Sequence, residues 1–186
     1  MNAEAATLAV IDALDGLRIP YMLVGSFASN YYGVPRSTQD ADFVVELADT
    51  PVRSLVERLG PPFALDPQVT FEPITGTTRY VVHAGGTGFR IELFLLSEDE
   101  HDRTRFRRRC AVGLMGRHAS LPTPEDVIIT KLRWSQGRSQ GKDAADVRNL
   151  IAVQGDRIAW DYVYSWCERH GTAALLDQIR KSLSTT

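Results

Sequence analysis

The chain has 186 residues, of which 44% are hydrophobic and 24% charged, with a formal net charge of -2. That is enough for one domain, or for a small α/β core with a helical appendage, and enough to bury a core without disulfide or metal staples. So even a charge gives no global argument for a nucleic acid or an anionic membrane as partner, and any basic site would have to be local.

Two cysteines, Cys110 and Cys167, show neither CxxC spacing nor a zinc-ligand histidine nearby, and read as buried or semi-buried thiols of a reducing compartment. The opening segment MNAEAATLAVIDALDGL carries acids and no basic leader. No apolar run approaches the roughly 20 residues of a membrane span, so a cytoplasmic protein with no membrane partner is expected.

Leu8, Ile11, Leu14 and Leu17 recur at helical spacing and predict an amphipathic helix over 4–16. After Pro20, Tyr21 to Val24 is a short strand, and Gly25-Ser26 turns the chain into a short helix, with Ser26 as its cap and Gly33 as its end. Asp40 to Leu47 begins as an alternating segment and turns apolar, as a half-buried strand does. Thr50-Pro51 opens a helix to Leu59, and residues 60–77 read as loop with one edge strand.

Arg79–Ala84 and Phe89–Leu96 predict two strands joined by Gly85-Gly86-Thr87-Gly88, which is hairpin chemistry. A charged helix over 97–108 and a strand over 110–115 follow. Thr123-Pro124-Glu125-Asp126 caps a helix reaching about Gln136, and a break at Gly137 to Gly141 leads to helices near 142–153, 158–169 and 172–183. The layout is an α/β core over 1–120 and a helical region over 121–186.

The densest chemical signal is residues 24–42, VGSFASNYYGVPRSTQDAD. Gly25 and Ser26 at a strand-to-helix turn offer backbone N–H groups and the positive end of a helix dipole, an arrangement that binds phosphate but is equally an ordinary helix cap. Fourteen residues past Ser26 stands Asp40-x-Asp42. On a strand these carboxylates share one face, with Cα atoms about 7 Å apart, and can converge on hard cations such as Mg²⁺. The alternative is an acid-guarded strand edge. Beside the apolar Phe43-Val44-Val45, however, two like charges call for a neutralising partner.

Gly25, Ser26, Arg36, Thr38, Asp40 and Asp42, at this spacing, resemble the nucleotidyltransferase superfamily, in the branch of AbiEii-type toxins and minimal nucleotidyltransferases. The resemblance extends through Thr123-Pro124-Glu125-Asp126, Lys131-Leu132 and Lys142-Asp143 with Asp146, covering most of residues 20–150. It implies an α/β (α+β) fold, a mixed sheet flanked by helices and followed by a C-terminal helical region.

The resemblance also implies Mg²⁺, two ions, and an NTP substrate whose NMP passes to a tRNA or to a cognate partner protein, as in toxin–antitoxin systems. A small-molecule acceptor, as in antibiotic nucleotidyltransferases, is the lesser option. Asp40, Asp42 and Glu92 become its catalytic and metal-binding carboxylates, Glu92 standing where aspartate is commoner. Gly25, Ser26, Arg36, Thr38, Lys131 and Asp143 become its nucleotide-binding residues.

Plainer readings stand beside these: Glu92 in an ion pair with Arg79 or Arg90, Arg36 in a loop ion pair, Thr38 shaping its loop, Lys131 solvated, and Asp143 orienting Lys131 or an arginine or serving as a first-turn acid. The arginines of 103–109 form a basic block of the kind that grips RNA phosphates, but they follow a run of acids, and internal pairing on a solvated helix is the favoured reading. The four histidines show no metal spacing. A catalytically silent nucleotide- or partner-binding module is the competing function.

Overall fold

In the computed structural model, which describes residues 1–86, 88–136 and 140–183, the alternation of residues 40–45 becomes an interior strand of a mixed sheet. Strands β1 (Tyr21–Leu23), β2 (Asp40–Val45), β3 (Phe63–Leu65), β4 (Thr70–Glu72), β5 (Thr77–Ala84) and β6 (Arg90–Leu95) form it in the order β1-β2-β6-β5-β3, with β4 also on β5. Only β2 and β6 run parallel. Their register sets Asp40 opposite Arg90 and Asp42 opposite Glu92.

The period of two divides the sheet's chemistry. Tyr21, Leu23, Ala41, Phe43, Val45, Ile91 and Leu93 are buried on one face. Helix α1 (Ala3–Gly16) approaches β2 and packs on α3 (Val52–Leu59), which also meets β3. Ile11, Leu14 and Leu55 are fully buried there, each contributing about 1.5–3 kcal/mol relative to exposure. Asp40, Asp42, Arg90 and Glu92 share the opposite face.

Two features of this region differ from the sequence expectation. Residues 60–77 supply two short strands, β3 and β4, both paired with β5; the Glu72 carboxylate accepts hydrogen bonds from the N–H groups of Ile74 (2.6 Å) and Thr75 (2.9 Å) and folds the chain tightly from β4 into β5. Strand β7 (Cys110–Leu114), after helix α4 (Glu100–Arg108), pairs with an unforeseen β8 (Arg117–Leu121). Both residues of the turn between them, Met115 (φ 50°) and Gly116 (φ 77°), take left-handed backbone, the geometry of a two-residue hairpin turn. A methionine does not advertise that conformation.

The contacts divide the chain into two units, Met1–Val24 with Ser37–Leu121, and Gly25–Arg36 with Pro122–Thr186. The second holds α2 (Gly25–Tyr32), α5 (Pro124–Ser135), α6 (Gln140–Gln154), one 3₁₀ turn (Gly155–Arg157), α7 (Trp160–His170) and α8 (Ala173–Leu183). The short helix after β1 therefore packs with the C-terminal helices, meeting α5 and α6. A Cβ on Gly33 would stand 3.0 Å from Ser29 O and 3.2 Å from Leu150 N, so only glycine allows the end of α2 to approach α6 this closely.

Thr123 caps α5 as expected, accepting from Asp126 N–H. By contrast, α2 begins at Gly25 (φ 60°), so Ser26 lies in its first turn rather than at its cap. Pro51 rather than Thr50 is the N-cap of α3, with no side-chain cap bond. Both cysteines are free thiols, Cys167 buried but Cys110 exposed. The proposed turn at Thr87 and most of the break at 137–141 lie outside the described residues. No described helix is long and apolar enough to cross a membrane.

Candidate functional site

The sheet unit carries Thr38, Asp40, Asp42 and Glu92. Thr38 Oγ donates to Asp40 Oδ1 at 2.9 Å and orients that carboxylate at the mouth of β2. Asp40 and Asp42 are half-buried, two residues apart on one face. Arg90 lies across from Asp40, 3.6 Å from its carboxylate. Glu92 is more enclosed and accepts from Arg79 Nη1 at 2.9 Å. This is the cross-hairpin ion pair of the plainer reading, reached diagonally because Val81, not Arg79, lies directly opposite Glu92.

Hard oxygen donors on one half-buried face fit Mg²⁺ at Asp40 and Asp42. Glu92 is engaged by Arg79, and among the described residues no three acidic, histidine or cysteine side chains form a ready metal cluster.

The helical unit gathers the other candidates around a carboxylate that the resemblance touched only in passing. Asp146 on α6 receives Arg36 through two parallel bonds, Nε to Oδ1 and Nη2 to Oδ2, both 2.8 Å. Lys131 Nζ from α5 reaches Asp143 and Asp146, each at 2.9 Å. Ser29 donates to Asp146 at 3.4 Å, and Arg36 Nη2 also donates to Ser26 Oγ at 3.0 Å. The Asn30 side chain clamps the backbone of Arg36 from both sides, accepting from its N–H (3.0 Å) and donating to its C=O (2.7 Å).

Burial alone would raise the Asp146 carboxyl, but the bonds and charges of Arg36 and Lys131 outweigh it and hold it at about 2. Burial likewise works against the Lys131 ammonium, yet Asp143 first and then Asp146 push it above its ordinary range. The three nucleotide-side candidates Arg36, Lys131 and Asp143 thus belong to one network, with Ser26 at its edge.

Asp146 is its hub. The signal for it in the sequence is the i, i+3 pair of acids, Asp143 and Asp146, on one helix face a dozen residues after Lys131. Gly25 leads α2 with left-handed backbone, and the preceding residue, Val24, donates its N–H to Asp42 O at 2.8 Å.

The acid–arginine run of α4 divides. Arg105 pairs with buried Asp102, which also takes the Ser97 hydroxyl, and Arg103 pairs with Glu98. Arg107 donates instead to Thr104, and Arg109 lies over the Phe106 ring, so internal charge pairing holds for the first two but not for these.

No family model and no curated protein matches the chain. Solved structures do. An antigenic nucleotidyltransferase-like protein from Paracoccidioides brasiliensis is 22% identical, with a TM-score of 0.62 over 98% of this chain and 91% of that one. ANT(2")-Ia in complex with adenylyl-2"-tobramycin is 14% identical, with a TM-score of 0.63 over 89% and 97%. The lincosamide antibiotic adenylyltransferase LnuA, lincomycin-bound, is 13% identical, with a TM-score of 0.55 over 81% and 98%. The chain has the nucleotidyltransferase-type fold that these structures share: a mixed sheet with flanking helices and a C-terminal helical region.

Proposed function

We propose that this chain is a Mg²⁺-dependent nucleotidyltransferase of the AbiEii-type branch. It moves NMP from an NTP to a hydroxyl of a macromolecular acceptor, a tRNA or a cognate partner protein, within a toxin–antitoxin system. The observation that carries the reading is the pair Asp40 and Asp42, side by side on one face of β2 in a nucleotidyltransferase-type sheet, with Glu92 in register on the parallel neighbour.

Asp40 and Asp42 are the residues to hold the metal, with Thr38 fixing Asp40. When bound, Mg²⁺ supplies charge neutralisation on the phosphates and helps the leaving oxygens depart. The acceptor oxygen bonds to the α-phosphorus, the bond to pyrophosphate breaks, and the hydroxyl proton passes to a base. Glu92 is the candidate base. Its Oε2 is taken by Arg79, so that role falls to Oε1.

Gly25 and Ser26 offer a helix N-terminus to the phosphates. Lys131 and Arg36 supply positive charge, held in place by Asp143 and Asp146. Assigning the turn and the carboxylates to one nucleotide rests on their spacing along the chain, fourteen residues from Ser26 to Asp40.

One observation favours the silent nucleotide- or partner-binding module: Asp40, Glu92, Arg36, Lys131 and Asp143 all stand in ion pairs within the chain. A single experiment separates the two. The protein is incubated with Mg²⁺ and each labelled NTP in turn, with total tRNA, candidate partner proteins, tobramycin or lincomycin as acceptors. Transfer that falls at least about a hundredfold in Asp42→Ala supports the enzyme. Absence of transfer to every acceptor, with NTP binding unchanged in Asp40→Ala and Asp42→Ala, sinks it.

A further inference from the structure

Arg79 is built as a held, half-open guanidinium. It projects from β5 and is fixed at two nitrogens: Nε donates to Thr70 Oγ at 2.9 Å, and Nη1 donates to Glu92 Oε2 at 2.9 Å. Nη2 has no protein partner among the described residues. The side chain of Arg79 is 35% exposed and that of Glu92 only 11%, so the carboxylate is the anchor and the guanidinium is the member that reaches outward.

The register places this pair on the face of the sheet that bears Asp40 and Asp42. Stability alone is a poor account of it. A half-exposed ion pair returns little, and enclosing Glu92 to make one is costly. A planar fork with one edge immobilised and the other edge open is, however, the form in which arginine receives a phosphate oxyanion, since little side-chain freedom remains to be lost on binding.

We propose that Arg79 is a phosphate-binding residue of this face, and that Glu92 and Thr70 are the positioning residues that hold its free Nη2 edge toward the ligand. The assignment rests on the nucleotide reading above for its choice of phosphate. It gives Glu92 a task beyond that of a base, and it gives the three-residue strand β4, which carries Thr70, a reason to exist. The phosphate has two sources, the triphosphate of the nucleotide or a phosphodiester of an RNA acceptor, and both offer the same oxyanion.

The test is calorimetric titration of the full chain, in Mg²⁺, with inorganic triphosphate in one arm and a short single-stranded oligoribonucleotide in the other. Arg79→Met should weaken one of the two by roughly tenfold to a hundredfold, the range of a charge-assisted hydrogen bond. Arg79→Lys should restore part of that loss. Glu92→Gln, whose amide oxygen still accepts from Nη1, should lose less than Arg79→Met.

Because Arg79→Met leaves Glu92 enclosed and unpaired, the double variant Arg79→Met/Glu92→Gln is titrated beside it and should show the same loss. A loss confined to triphosphate assigns the nucleotide, and a loss confined to RNA assigns the acceptor. If the wild-type chain binds either ligand and Arg79→Met and the double variant bind it equally well, the Arg79 assignment is overturned while the nucleotide reading stands. If the wild-type chain binds neither, both are overturned.

Discussion

Asp146→Asn keeps the shape of the hub of the helical unit and removes its charge. The Asp146 carboxyl sits at about 2 in the fold against an ordinary 3.8, and its side chain is only 5% exposed. At about 1.4 kcal/mol for each tenfold preference, that gap corresponds to ~2 kcal/mol of folding stability at neutral pH. Arg36 then loses its bidentate partner while Lys131 retains Asp143, which brings the expected cost to about 2–3 kcal/mol.

The sign of the pH dependence follows from the depressed value. The stabilisation is complete above the unfolded carboxyl's ordinary value and fades as pH falls from about 4 toward about 2. Urea unfolding of wild type and Asp146→Asn, followed by circular dichroism from pH 7 down to about 3, reads both the gap and its closure. A gap below about 0.5 kcal/mol at pH 7, or one that stays constant as the solution is acidified, would refute the view that Asp146 is the charge hub of this unit.

Two further outcomes are expected elsewhere. Thr123→Ala removes the hydroxyl that caps α5 and also donates to buried Asp126 at 2.9 Å, and should cost about 1–2 kcal/mol in the same unfolding assay. In thiol titration of the native protein with a disulfide reagent near neutral pH, exposed Cys110 should react as one fast equivalent. Cys167, whose thiol is pushed up by burial, should react only after denaturation, and two fast equivalents would contradict the packing around α7.

The sequence discloses what has a local cause. The strand at Asp40 shows in its alternation, α5 in its Thr-Pro-Glu-Asp start, and α1 in its spacing of leucines and isoleucine. What stays hidden depends on a partner far along the chain or on backbone that side chains do not announce. Strand β8 hangs on left-handed Met115, and the return from β4 to β5 hangs on the Glu72 carboxylate.

The site divides along the same line. Asp40 and Asp42 are legible because two carboxylates on one strand face need no other segment to explain them. Whether Glu92 pairs with Arg79 on β5 or with Arg90, two residues away on its own strand, depends on the strand pairing: the register between β5 and β6 brings Arg79 to it diagonally, while Arg90 turns to Asp40 on β2. Asp146 is harder still, since its meaning comes from Arg36, 110 positions earlier in the chain.

The assignment of Gly25–Arg36 to the helical unit bears on how this chain can be cut. A fragment ending at Leu121 would keep every strand yet strip α2 of α5 and α6, uncover Ala28, and leave Arg36 without the carboxylate that fixes it. The complementary piece from Pro122 onward would lack the helix that Gly33 brings against Leu150. Neither half is a portable module. Shuffling or truncation at residue 121 should yield insoluble or proteolysed products unless the segment bearing α2 is supplied with the helices it packs on.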